Sequence, residues 1–479
     1  MTDRMPEQTQ GPPLPGLRER SVRGGLWLAA RDSAGTVIRL GSVLVLTALL
    51  GPAGFGIYAG SVAVVAFLVT LTQLAVEIYL VKYQGDLPRR AIGTVYTYLI
   101  FSSALVTSSA VTLVLMSDRM GLSLPDHATL LLLLASLPVN VLWAPAQAQL
   151  ERRFAYRQLG VIELIGDLVL AGVSIGLVLS GAGPAGAAAG YLAWQVWLLL
   201  SSHVLARTWP VLALDRDELR AILRFGSVMT STSALVYGKS LVNPLIVGSL
   251  LGPVAVGYTA LAQRVIATLS IVNRATVRLS YVTLGPSRDD TARLRQALDE
   301  GGAIAVAGLA VPLALVCVVA PVGFPLLFGP EWRESADVLA VLTVSAVLSA
   351  AFVLPASLLV VQGAQHLVTL SAGIQLALLV PSALVLVPVL GPLGYPVAQV
   401  LSSVGYAVLV IALRRRIGKL PYRTMVAWGA AFLPQALTPL VPELVRPALW
   451  LPLVVLLMVP HTRKRLFSTP RMLLRVVRR

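Results

Sequence analysis

The sequence predicts an all-α polytopic membrane protein of about 14 transmembrane helices, and three observations carry that expectation. Of 479 residues, 56% are hydrophobic and 13% charged, with mean hydropathy +0.80. Water-soluble chains carry about 25% charged residues, so this one lacks the polar atoms for a wetted surface. Apolar runs recur from residue 24 to residue 460, and one crossing needs about 20 such residues. The basic residues, finally, fall almost entirely on one side of the runs.

Glycine and proline turns and charge clusters divide the runs into spans at 24–50, 54–80, 92–116, 128–149, 159–180, 185–205, 223–251, 255–279, 301–327, 336–361, 367–389, 392–413, 424–440 and 446–460. The last two are short and proline-interrupted, which leaves counts of twelve or thirteen open. Of 38 Lys and Arg, 30 lie in alternate loops and the two tails, with Arg224 and Arg278 counted at span ends. Three (Arg119, Arg333, Arg446) face the other side, and five lie inside spans. Cationic loops stay in the cytoplasm, so an even span number with both termini cytoplasmic is expected. The apolar stretch after the polar N-terminal tail exceeds a signal-peptide core.

Within this layout the chain repeats itself. Leu-Leu-Gly-Pro occurs at 49–52 and again at 250–253, each followed by a Gly and a Tyr (Gly56 and Tyr58; Gly257 and Tyr258). At the same offset Arg23 corresponds to Arg224 and Gly25 to Gly226. Gly-Pro-Ala-Gly at 183–186 is echoed by Gly-Pro-Leu-Gly at 391–394, and Pro145 and Pro355 both fall late in a fourth helix. Six helices is an even number, so the halves run in the same direction, as parallel repeats with a substrate path between them. The expected organisation is a tail (1–22), a six-helix bundle (23–205), a cytoplasmic linker (206–222), a second six-helix bundle (223–413), two extra helices (414–460) and a basic tail (461–479).

Charges inside spans cost about 2.5–3.5 kcal/mol each on insertion scales and call for a reason. Five cations (Arg31, Arg39, Lys239, Arg264, Arg274) and the acids Asp32, Glu163 and Asp167 are so placed, with Glu77 at the inner end of the second span. Arg39 and Lys239 lie at nearly equal depth in the two repeats. Glu163 and Asp167, four residues apart, share a helix face. The cations are read as the lining of a central cavity that receives an anionic group such as a pyrophosphate. The acids are read as ion-coupling groups or as charge partners of the arginines; pairing of Arg31 or Arg39 with Glu163 or Asp167 would make those residues structural.

Several functions are excluded. Net charge +16 belongs to membrane-flanking loops and not to a nucleic-acid surface. One cysteine, Cys317, and four scattered histidines give neither a metal site nor a disulfide, and no cofactor is called for. Gly238-Lys239-Ser240 sits within an apolar span and lacks the first glycine of a phosphate loop. No segment is long enough for an ATPase or transferase domain, so no catalytic residue is assigned.

Four segments carry a resemblance: RGGLW at 23–27, LLGPAGFGIYA at 49–59, ERRFAYRQL at 151–159 and LFGPEWRES at 327–335. With the 6+6+2 layout, the chain to about residue 415 resembles the polysaccharide-transporter, Wzx-like branch of the multidrug/oligosaccharidyl-lipid/polysaccharide (MOP) exporter superfamily. The resemblance implies a V-shaped pair of six-helix bundles. It also implies movement of an undecaprenyl-diphosphate-linked oligosaccharide across the bacterial inner membrane by alternating access, among membrane lipids and with other polysaccharide assembly proteins as possible partners. Two rivals are an ion-coupled multidrug or metabolite exporter and a non-transporting scaffold. Five cations against four acids in the spans, counting Glu77, suit organic cations poorly, and a scaffold has no need of buried charge.

Overall fold

A computed structural model of the chain describes residues 17–83, 85, 87–117, 119, 126–270 and 291–418, with isolated positions between 430 and 452. Among the described residues there are helices and turns and no strand. The run Leu17–Gln73 is two helices, α1 (17–50) and α2 (52–73), because Gly51 leaves the helical region (φ 62°, ψ 178°) just before Pro52. Leu74 and Ala75 then take positive φ and the chain continues as Val76–Lys82. There follow α3 (Arg89–Met116), α4 (His127–Arg152), α5 (Tyr156–Leu177, with a π turn Val178–Ala182) and α6 (Gly183–Ala206). Next are α7 (Arg216–Val242, prolonged by a π turn Asn243–Val247 and by Gly248–Leu251), α8 (Pro253–Leu269) and α9 (Thr291–Phe328). Last come α10 (Arg333–Ala351 with Val353–Val361), α11 (Gln365–Leu390) and α12 (Gly394–Ser402 through Ala407–Ile417).

These helices occupy the positions of the first twelve expected spans. Among the described residues, eight helical stretches are long and apolar enough to cross a bilayer. Two of them, Tyr156–Ala206 and Gln365–Ile417, hold 51 and 53 residues. At 1.5 Å per residue each would exceed about 75 Å, far beyond a hydrocarbon core of about 30 Å. Both break where a glycine precedes a proline, at Gly183 (φ 54°, ψ −142°) and Gly391 (φ 59°, ψ −138°). The expected spans 424–440 and 446–460 lie outside the described residues, as do the first sixteen residues and the basic tail.

The echoed glycines behave alike in space. Gly51 and Gly252 share one unusual conformation (φ 62°, ψ 178°; φ 81°, ψ −179°). Just beyond them α2 crosses α8 at backbone contact. A Cβ on Gly56 would lie 1.9 Å from the Pro253 carbonyl oxygen, and one on Gly257 would lie 2.1 Å from that of Pro52. Only glycine permits this reciprocal approach. The two prolines are not alike: Pro145 lies inside α4, whereas α10 breaks at Phe352 and leaves Pro355 in the first turn of Val353–Val361, where proline disturbs no helix bond.

Apolar packing gathers in two main clusters. One joins α2, α3 and α4 through Val65, Val95, Leu99, Leu133 and Leu137. The other joins α8 to α12 through Leu261, Phe324, Leu339 and Leu379, and receives Phe55 from α2. Other large apolar side chains, such as Phe101, Leu105, Leu326 and Val389, point outward, which suits contact with lipid.

The segments that carry the resemblance lock helix ends. Trp332 is fully buried, edge-on to Phe55, Tyr258 and Phe328 at centroid distances of 6.0–6.2 Å. Three of the quoted or echoed segments therefore meet at the α2–α8 crossing. At the other end of the bundle, Arg152 donates to the carbonyls of Leu80, Tyr83 and Gly85, and Arg153 to that of Ala206. They satisfy the orphan carbonyls that helix C-termini leave.

Candidate functional site

Two clasps, each joining a first and a fifth helix of six, hold two of the five cations expected within spans. In the first, Arg39 on α1 meets Asp167 on α5, Nη1 lying 3.2 Å from Oδ2. The carboxylate is buried at 2% exposure while the arginine side chain keeps 41%. Gly35, one turn before Arg39, makes room: its missing Cβ would lie 3.0 Å from Asp167 Oδ2. In the second, Lys239 on α7 donates to Gln375 Oε1 on α11 at 2.8 Å. Gln375 in turn donates to Ser371 Oγ, and Ser371 to the carbonyl of Gly405. Gly405 again supplies the space, since a Cβ there would lie 2.6 Å from Gln375 Cγ.

The registers correspond. Asp167 and Gln375 each stand 16 residues before the positive-φ glycine of the next Gly-Pro break, Gly183 and Gly391. Arg39 stands 12 residues before Gly51 and Lys239 stands 13 before Gly252. The π turn Asn243–Val247 takes up the odd residue. The clasps differ in charge. A carboxylate compensates Arg39, whereas an amide satisfies Lys239 sterically and leaves its positive charge in place.

Lys239 and Gln375 form one wall of a 260 Å³ cavity among α7 to α12. Gln263, Gln399, Ser345 and Tyr406 also line it, and among the described residues no carboxylate does. Ser345, Ser402 and Ser403 spend their protons on carbonyls of their own helices, which leaves oxygen lone pairs toward the space. Gln399 Oε1 is buried with no partner among the described residues. Beside apolar Ile266, Leu309 and Leu342, the polar part of the lining is one ammonium among acceptors and amides: the acceptors suit hydroxyl groups, the ammonium an anionic one.

Arg264 on α8 reaches toward the first half, with Tyr58 and Arg39 as its electrostatic neighbours. Tyr58 adjoins Tyr191 on α6, which neighbours Tyr237 on α7 and receives a hydrogen bond from Gln195. Tyr191 also packs edge-on against Trp194, centroids 5.3 Å apart. These aromatic and amide groups were not singled out from sequence. Their signal, tyrosines amid apolar spans, does not differ from that of ordinary core aromatics.

Of the residues expected at the site, Arg39, Asp167, Lys239 and Arg264 are placed as above. Glu163, one turn before Asp167, is partly buried on α5. Arg31 and Asp32 are on the α1 backbone, but their side chains lie outside what the structure describes, and Arg274 lies wholly outside it. No group of His, Cys, Asp and Glu that could hold a metal occurs among the described residues.

Comparison with known proteins gives these features a context. The lipopolysaccharide biosynthesis protein WzxC of Escherichia coli K12 is 26% identical over 343 residues, 69% of this chain and 68% of that one. The structure of a lipid II flippase MurJ in an inward closed conformation superposes with a TM-score of 0.71 at 11% identity, covering 93% of this chain and all of the other. An inward-facing multidrug resistance MATE family transporter of the MOP superfamily gives 0.55 at 17% identity, covering 81% and 94%. By name, both solved neighbours are transport proteins. The model of the family described as polysaccharide biosynthesis protein matches residues 45–337, more than half of the chain, which therefore belongs to that family and has the MOP-superfamily fold.

Proposed function

We propose that this protein is a flippase that carries an undecaprenyl-diphosphate-linked oligosaccharide, a unit of a cell-surface glycan, from the inner to the outer leaflet of the bacterial cytoplasmic membrane. Two six-helix bundles, 23–205 and 223–413, alternate in exposing the path between them, and both termini lie in the cytoplasm. The observation that carries this reading is the uncompensated charge of Lys239 beside a cavity of hydroxyls and amides. A diphosphate needs cations to replace its water in a site of low dielectric, and sugars need mixed donors and acceptors. Arg264 and the exposed side of Arg39 extend the same field toward the seam between the bundles. The MATE-like fold is also compatible with ion-coupled export of drugs. A drug cation, however, wants an unpaired acid, and Asp167 is already committed to Arg39.

The test is deletion of the gene with leaflet-resolved measurement of the lipid-linked precursor. The expected result is accumulation on the cytoplasmic side and loss of surface glycan, both reversed by the intact gene. Normal surface glycan without accumulation would sink the proposal.

A further inference from the structure

A second cavity, of 600 Å³, opens on the seam where the short helix Val76–Lys82 meets the start of α7. Arg220 and Arg224 stand on its wall, with Tyr79, Phe225, Val228 and Met229 as its apolar floor. The arginines are four residues apart on one face of α7, and both are exposed. Among the described residues neither has an ion-pair partner. Glu218, the neighbouring acid that could have taken one, accepts instead from the Tyr79 hydroxyl at 2.7 Å. Asp217 also lines the cavity, three residues before Arg220 on the same helix face, and is the one carboxylate among its described lining residues; two arginines against one carboxylate leave a net positive charge there.

The segment before α7 fixes the depth of this site. Ala213 and Asp215 are hydrogen-bonded to Thr97 and Thr94 of α3. Trp209, Val211, Leu212 and Leu214 point away, each 58–66% exposed. A tryptophan and three aliphatic side chains uncovered at the end of a helical bundle belong at the membrane–water interface. From the start of α7 at that level, Arg220 and Arg224 lie about 6 Å and 12 Å along the helix axis. Val228 and Met229 lie deeper, and Val228 is itself well exposed. Charge near the interface and apolar surface below it is the polarity of a lipid.

We propose that this seam is a binding site for the phosphate head of a membrane lipid, with Arg220 and Arg224 on the phosphate and the Tyr79–Phe225–Val228–Met229 floor along the first part of the chain. The exposed apolar floor distinguishes a lipid-borne phosphate from a free one, which would gain nothing from it. The site is separate from the clasps, and its test does not depend on what is transported.

The experiment is native mass spectrometry of the purified full-length protein titrated with phosphatidylglycerol. Each arginine near an anionic head is worth roughly a fivefold change in affinity, about thirtyfold for two. R220Q/R224Q should lose that much, while R220K/R224K retains most of the binding. R414Q/R415Q removes the same charge from the end of α12 and should bind as the unmodified protein does. Inorganic pyrophosphate at equal concentration should leave the lipid bound. Unchanged affinity in R220Q/R224Q, an equal loss in R414Q/R415Q, or displacement by pyrophosphate would each overturn the assignment.

Discussion

Gln375 offers a direct test of whether the free charge on Lys239 is used. Gln375→Glu keeps size and shape but puts a carboxylate where an amide oxygen now accepts from Nζ at 2.8 Å. The second clasp would then have the charge balance of the first. A phosphate charge about 5 Å from Nζ is attracted by about 3 kcal/mol at an effective dielectric constant near 20, roughly a hundredfold in equilibrium. A carboxylate closer to the amine than the phosphate cancels most of that. Export of surface glycan should fall by at least about tenfold while the folded amount of protein stays near that of the wild type: the new counter-charge on the ammonium offsets the lost donation from Gln375 to Ser371.

The reciprocal change, Asp167→Asn, separates this effect from damage. It removes the compensating acid from the first clasp and leaves the Arg39 charge free. Because Arg39 is 41% exposed, its guanidinium remains solvated, and export should survive better than in Gln375→Glu. The assay is glycan export per unit of membrane-inserted protein, with thermal denaturation of the purified variants alongside. Wild-type export by Gln375→Glu at wild-type abundance would refute the role given to the Lys239 charge.

Two further outcomes are expected. Gly56→Ala and Gly257→Ala each place a methyl within about 2 Å of a backbone oxygen and should lower stability by about 1–3 kcal/mol or more, read as loss of folded protein. Gly172→Ala meets nothing within 4 Å and should be neutral. Reporter fusions after residues 155 and 290 should read cytoplasmic and those after residue 120 external; exposure of 284–300 on the outside would reverse the orientation.

Much of the frame was legible in the sequence because membrane helices advertise themselves by length and by their breakers. Gly51, Gly183, Gly252 and Gly391 marked turns by residue type alone, and all four have positive φ. The near-equivalence of Arg39 and Lys239 was legible too, but their partners were not. Asp167 stood among several acids that could have paired with Arg31 or Arg39. Gln375 was passed over because an amide in a span carries no charge penalty to draw notice. The 201 residues that separate Gly51 from Gly252 are one residue out at Lys239, because nothing in the local sequence declares a π turn. The Arg220–Arg224 cavity was invisible for a different reason. Basic residues beside a span are expected everywhere on the cytoplasmic face, so only the packing of Tyr79 against Phe225 and the capture of Glu218 by Tyr79 set these two apart.

The clasps show how one frame can be given a direction. The paired glycines and the α2–α8 crossing give the two halves matching turns at their first helix pairs. The acceptors differ: a carboxylate in α5 and an amide in α11, each 16 residues before a Gly-Pro break. An anion entering the seam therefore meets a compensated cation on one side and an uncompensated one on the other. Its free energy is lower toward α7 and α11, where the cavity with hydroxyl and amide lining also lies. Under the proposed function, a motion that opens one bundle relative to the other would carry a bound diphosphate with the second bundle. A single side-chain difference, amide for carboxylate, is enough to assign that task to one half of a nearly symmetric molecule.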